Sequence, residues 1–352
     1  MKNQFELFAG AILTAGLALA AVAQTEHTPK PLGAEKTPIK FVEIVIKNLQ
    51  DDTLGRITDI GIDLTNGRIV EVLVESDGSL GVGGKIVAVP PLALTADPSG
   101  RILRLDASPA VFKTAAAIDL SAWEDAGRSE RVAAAYRLFG QETYFLEEGD
   151  TASKTARRPK VSLGYVERSN KLLDMPVGNY QDDQFGKVWS MNMDILRGRI
   201  LNVIVLAPGN FQTKSVIPAM ALRFNTKRDA LLLDDTKPEY ADEPRYIYTE
   251  AAFGNAAHSQ EESFKGPRTT DALEQGSNYK DIDRTVQINH DIRAARINSR
   301  HVEIGTNNGR VTLRGWTYSA ADRERIGAIA IAAAQLELVD NQITVGRPAA
   351  GG

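Results

Sequence analysis

The sequence predicts a multidomain chain, mainly β and ending in an α+β unit: two small β-barrels followed by an αββαβ domain. Three observations predict it. A β-patterned segment occurs twice in register, the last quarter switches to a helix-first pattern, and polar stretches separate the parts. The 352 residues suffice for about two or three domains. With 43% hydrophobic and 24% charged residues, the balance is that of a folded soluble protein.

The chain opens with Lys2, followed by Glu6, and then runs uncharged from Leu7 to Ala23. Ala21-Val22-Ala23 before Gln24 fits a small-x-small cleavage site. Residues 1–23 therefore read as an export signal cleaved near Ala23, giving a periplasmic or secreted protein. The alternative is an uncleaved N-terminal anchor, although the run falls short of the roughly 20 apolar residues a span requires. Residues 24–38 read as a linker.

The duplication comes next. Asn48-Leu49-Gln50-Asp51-Asp52-Thr53-Leu54-Gly55-Arg56-Ile57 returns as Asn179-Tyr180-Gln181-Asp182-Asp183-Gln184-Phe185-Gly186-Lys187-Val188, at an offset of 131. The match continues through Asp63/Asp194, Gly67/Gly198, Arg68/Arg199, Ile69/Ile200, Val72/Val203 and Val74/Val205. The offset then falls to 128, and Val89-Pro90 matches Ile217-Pro218 and Leu94 matches Leu222. Each copy reads as short strands. Asn66-Gly67 between β-branched runs signals a hairpin with positive φ at both turn residues. Val72 and Val74 alternate with Glu71 and Glu75, predicting one buried and one wet face. Pro90 and Pro91 mark a break, since proline cannot sit centrally in a ladder. Short strands joined by Gly-rich turns suggest a closed or nearly closed barrel.

The order D-D-x-[LF]-G-[RK]-[IV], then G-R-I, V-x-V and [VI]-P, resembles the PRC-barrel domain, over residues 39–110 and again over 166–238. The resemblance implies a six-stranded, barrel-like protein-docking adaptor without catalytic residues. Residues 111–165 connect the copies. Trp123, Val132, Tyr136 and Phe139 recur at helical spacing and predict a helix from Leu120 to Gly140, and Glu148 to Lys160 reads as a solvated basic linker. Residues 239–278 are polar and read as a mobile linker.

From residue 279 the pattern is αββαβ. Ile282, Val286, Ile288 and Ile292 line a helix ending near Arg296, and Val302 and Ile304 begin a strand. Asn307-Asn308-Gly309 is a tight turn, and Val311 and Leu313 continue beyond it. Ser319 caps a second helix from Ala320 to Gln335, and Val339, Ile343 and Val345 close the unit as a strand. Asn308-Gly309-Arg310-Val311-Thr312-Leu313-Arg314-Gly315 and Val339-Asp340-Asn341-Gln342-Ile343-Thr344-Val345 resemble the signature of the BON domain, covering 279–346, with 347–352 as a tail. The usual small residues before the last strand are replaced by Leu336-Glu337-Leu338. The resemblance implies a cell-envelope module for which phospholipid binding is the usual inferred role, in envelope maintenance or stress response.

Several chemistries fail on the residues. With no cysteine, thiolate metal sites, disulfides and a cysteine nucleophile are excluded, and four histidines make a histidine-rich metal site improbable. A net charge of −4 argues against nucleic-acid binding. Gly78 to Lys85 lacks the glycine and serine positions of a phosphate loop. Asp51-Asp52 and Asp182-Asp183 fit turn chemistry better than a carboxylate pair, and His290 and His301 have no defensible nucleophile beside them. The chain reads as a non-enzyme with no cofactor.

One surface remains. Arg293, Arg296 and Arg300 are spaced three and four apart, and on a helix would share a face able to meet anionic lipid headgroups or a partner. The competing reading is an ordinary solvated face, because residues 271–347 carry ten bases and ten acids. The expectation is thus a non-enzymatic exported envelope protein that docks an envelope partner and makes peripheral contact with anionic membrane. Its rivals are a protein–protein scaffold without lipid contact, and an enzyme whose site is unrecognised.

Overall fold

The computed structural model describes residues 44–97, 102–123, 128–145, 161–209, 214–233, 245–248, 261–265, 273–334 and 339–347. The expected export signal, the linker after it and the basic linker at 148–160 lie outside the described residues.

The first repeat contributes β1 (Val45–Lys47), β2 (Thr53–Asp63), β3 (Arg68–Ser76), β4 (Ile86–Val89), β5 (Leu94–Ala96) and β6 (Ile102–Leu105). They pair in the order β5-β6-β1-β2-β3-β4, antiparallel except for β1 with β6. The two end strands do not pair with each other, so the path is an open sheet and the expected closed barrel is corrected. The reason lies at Pro90-Pro91. Proline has no N–H for a ladder, and the chain turns there through a 3-10 segment at Pro91–Ala93. The hairpin turn is also corrected. Gly67 has φ of +63° but Asn66 does not have positive φ, and Asp63 Oδ1 accepts from Asn66 N at 3.1 Å.

Between the repeats lie α1 (Pro109–Thr114) and α2 (Arg128–Leu138). The expected start at Leu120 is too early, because Asp119 Oδ1 accepts from Ser121 N at 2.8 Å and closes a separate 3-10 turn at Leu120–Ala122. Val132, Ala133 and Tyr136 of α2 share a buried cluster with Val70, Leu73 and Ala88 of β3 and β4. The wet face expected for β3 holds at Glu75, which is exposed, and is corrected at Glu71. Glu71 is buried there, held by a two-pronged ion pair to Arg131 at 2.9 and 3.0 Å, with Arg131 also over the Trp123 ring.

The next elements are β7 (Val166–Arg168), which pairs with β2, and the short helix α3 (Ser169–Leu172). The second repeat follows as β8 (Pro176–Gly178), β9 (Gln184–Asp194), β10 (Arg199–Leu206), β11 (Lys214–Pro218), β12 (Leu222–Asn225) and β13 (Ala230–Leu233). Its order, β12-β13-β8-β9-β10-β11, repeats that of the first unit strand for strand. Even the loop at the duplicated motif is reproduced. Asn48 Oδ1 accepts from Gln50 N and Asp52 N, Asn179 Oδ1 accepts from Gln181 N and Asp183 N, and Asp51 and Asp182 both have positive φ.

The two repeats meet through equivalent atoms. Ile69 N donates to Gly198 O and Ile200 N to Gly67 O, each at 3.0 Å, so β3 and β10 pair around a local two-fold. The turn glycines allow this approach. A Cβ on Gly67 would lie 2.7 Å from Met220 Cγ, and one on Gly198 would lie 3.2 Å from Pro91 Cβ. Apolar residues of both repeats form a single buried cluster.

The stretch expected to be a linker, 239–278, contains β14 (Arg245–Tyr248) and β15 (Glu261–Lys265). They pair with each other, and β14 extends the sheet from β11. The free edge of β11 supplies the hydrogen-bonding partner that a reading of composition does not include.

The last unit is α4 (Tyr279–Ala294), β16 (Val302–Asn307), β17 (Arg310–Thr317), α5 (Ala320–Ala334) and β18 (Val339–Val345), the αββαβ order expected. Asn278 caps α4 by accepting from Asp281 N at 2.9 Å. Asn308 and Gly309 both have positive φ, the two-residue turn that Asn-Gly favours. Ser319 Oγ accepts from Asp322 N at 3.1 Å as the cap of α5. Ile288 and Ile292 of α4, Ile326 and Ala330 of α5, and Ile304, Val311, Leu313 and Ile343 of the strands form its core. Ile282 and Val286, however, belong to the cluster around α2 and β3. One helix thus serves two cores.

Candidate functional site

Helix α4 ends at Ala294, six residues short of the last arginine in the stripe. Ile297 N donates to Ile292 O at 3.2 Å and Arg296 N to Arg293 O at 2.9 Å, a Schellman closure with Arg296 at φ +54°. That left-handed residue reverses the chain, so of Arg293, Arg296 and Arg300 only Arg293 lies on the helix. The single helical stripe expected for the three is corrected. The fold nevertheless gathers them around one cavity.

That cavity, about 410 Å³, lies between the second repeat and the last unit. From the repeat come Pro218, Met220, Ala221, Arg223 and Leu233, and from the last unit come Asn289, Arg293 and the segment Arg296–Arg300 with Val302. Among the described residues, four arginines and no acid line it. The Met220 carbonyl accepts from Arg223 Nη1 at 2.7 Å and from Arg293 Nη2 at 3.2 Å, which fixes the two guanidinium groups beside each other.

The electrostatics follow from that geometry. Burial pushes the pKa of Arg293 down to about 9; the like charge of Arg223 adds to the fall and the carboxylate of Asp63 opposes it. A guanidinium keeps its proton in proteins, so Arg293 stays charged despite this burial. Asp63 does not line the cavity. Its carboxylate accepts from Gly164 N at 2.9 Å and from Asn66.

The remaining two arginines differ in setting. Arg296 is exposed, whereas Arg300 is buried, donating from Nε to His301 Nε2 at 2.9 Å and from Nη2 to the Tyr318 hydroxyl. His301 stacks on Trp316 with ring centroids 3.9 Å apart, and His290 is exposed beside Asp291. Arg223 was missed by reading the sequence. Its one signal is the repeat itself, because with Leu94 aligned to Leu222 it occupies the position held by Thr95 in the first copy.

The other sequence candidates fall into local roles. Asp52 and Asp183 accept from the Asn48 and Asn179 side-chain amides within their own loops. Gly78–Leu80 forms a 3-10 turn between β3 and β4, capped by Asp77. Among the described residues no helix is long and apolar enough to cross a membrane, and no group of three or more His, Asp or Glu is placed to hold a metal ion.

No curated protein matches this chain. Family models match two parts of it. The chain carries a PRC-barrel domain at residues 45–111 and a BON domain at residues 281–347.

Proposed function

We propose that the protein is a non-enzymatic interaction module of the cell envelope, in which paired β-units dock a protein partner and the C-terminal unit meets anionic phospholipid. The presence of both domains supports an envelope or protein-interaction role. The strand order of the second repeat supports reading 166–238 as a second PRC-type unit. Export past the inner membrane, directed by residues 1–23, belongs to the same reading, as does a role in envelope maintenance or stress. The observation that carries the lipid contact is the gathering of Arg293, Arg296 and Arg300 at one end of the C-terminal unit. Each basic residue near an anionic surface contributes about 1 kcal/mol.

Flotation with vesicles tests this. Attachment is expected to phosphatidylglycerol-containing vesicles at low salt, with release at high salt and none to phosphatidylcholine alone, since screening shortens the reach of the field. Flotation that ignores lipid charge and salt, or no flotation at all, sinks the lipid contact and leaves the scaffold reading.

A further inference from the structure

We infer that the C-terminal unit meets an anionic bilayer end-on, with Tyr318 and Val345 entering the headgroup layer from the end of its sheet and exposed arginines around them. The inference rests on the membrane reading above and deepens it, adding an apolar insertion point to the contact.

The topology gathers one end of the unit. Strands β16 and β17 are antiparallel and β17 and β18 parallel, so β16 starts where β17 and β18 finish. Helix α4 ends and α5 begins at that same end, where Arg325 Nη2 of α5 donates to Ala295 O at 3.0 Å. Thr317 and Val345 are register partners in the last rung, and Gly346 N donates to Thr317 O at 2.8 Å. That pairing sets Tyr318 next to Val345 and Gly346.

Both side chains stay at the surface, Tyr318 being 51% exposed and Val345 49%. The Tyr318 hydroxyl is engaged by Arg300 Nη2, and Trp316 packs edge to face against its ring with centroids 4.9 Å apart. The polar tip is thus satisfied within the protein, and what the residue offers outward is ring. Arg296, Arg323, Arg325 and Arg347 are exposed at this end as well, alongside Glu324 and Asp322, which lies 3.6 Å from Arg325.

Size and charge decide the partner. Two half-exposed side chains fall far short of the roughly 1,000 Å² that a stable protein interface buries. A bilayer asks for less, because apolar side chains entering the interface and cations reaching anionic headgroups add their contributions without a matching partner surface. Tyrosine is moreover a residue that membrane interfaces favour.

The chain has no cysteine, so a single introduced one carries a label at one site. The full-length protein with the fluorophore NBD on Val345→Cys is mixed with phosphatidylglycerol vesicles at low salt. The same label on Arg310→Cys, exposed at the opposite end of β17, is the comparison. Emission from position 345 is expected to rise and shift to the blue, and that from position 310 to stay unchanged. In flotation, Tyr318→Ser and Val345→Ser are each expected to weaken partition about fivefold, the loss of part of one buried apolar side chain. Val345→Trp should strengthen it by a similar factor, a gain that misfolding cannot produce.

Flotation of the unlabelled protein reports the membrane reading by itself. If the protein floats while the label at 345 stays unchanged, or only the label at 310 responds, end-on insertion is overturned and membrane contact stands. If it does not float, both fall. Emission from 345 that rises with protein concentration in the absence of vesicles marks a second copy as the occupant and overturns the bilayer.

Discussion

Asp63 is fully buried at the end of β2, hydrogen-bonded to Gly164 and Asn66. Burial raises its pKa above the ordinary carboxylate value, against the opposing effect of those donors and of Arg293. The native state therefore holds this proton more tightly than the unfolded chain does. Its contribution to stability is fully present below the unfolded pKa and falls as pH rises through the raised value. Asp63→Asn is expected to lower stability overall, through a lost acceptor, yet to flatten that fall. Urea midpoints measured across the mildly acidic range check it, and an unchanged slope would place the titrating group elsewhere. Nothing in the sequence marks Asp63 apart from Asp194, its partner in the repeat. The difference is the cover that Gly164 and its neighbours supply to one copy.

Turns and caps are the elements most legible in the sequence, since each is decided within a few residues. Asn308-Gly309 and the cap at Ser319 fall where the local chemistry puts them. The turn at Gly67 is set by Asp63 as well as by Asn-Gly, which is why a dipeptide rule misjudged its φ angles. The junction of β3 with β10 offers a test at this scale. Gly198→Val places a branched side chain at φ +58° against Pro91 and is expected to cost about 2–3 kcal/mol in unfolding free energy. Gly209 has φ of +70° but open space around it, so Gly209→Ala should cost only about 1 kcal/mol. Equal losses in denaturant titrations would show that the close approach between repeats carries no weight.

At the scale of the molecule, residues 37–352 form one contact unit, and α4 shows how the parts are joined. Ile282 and Val286 are buried with α2 and β3, while Ile288 and Ile292 fill the core of the last unit. Ile282→Ala is expected to destabilise by about 2–4 kcal/mol and to lower the transition of the β-repeats together with that of the C-terminal unit. Differential scanning calorimetry checks this, and a second, unmoved transition would show that the units unfold independently.

The sequence by itself determined the duplication, the strand positions within it and the αββαβ order, because periodicity, turn residues and caps act over short distances. Only the tertiary structure decided which faces are covered. It buried Glu71 beneath α2, paired β14 with the open edge of β11, ended α4 before the arginine stripe was complete, and brought Arg223 to the three arginines from which it is 70 or more residues distant. Burial and charge clustering depend on which elements pack together, and that is set by the summed apolar contacts of the whole chain rather than by any local segment.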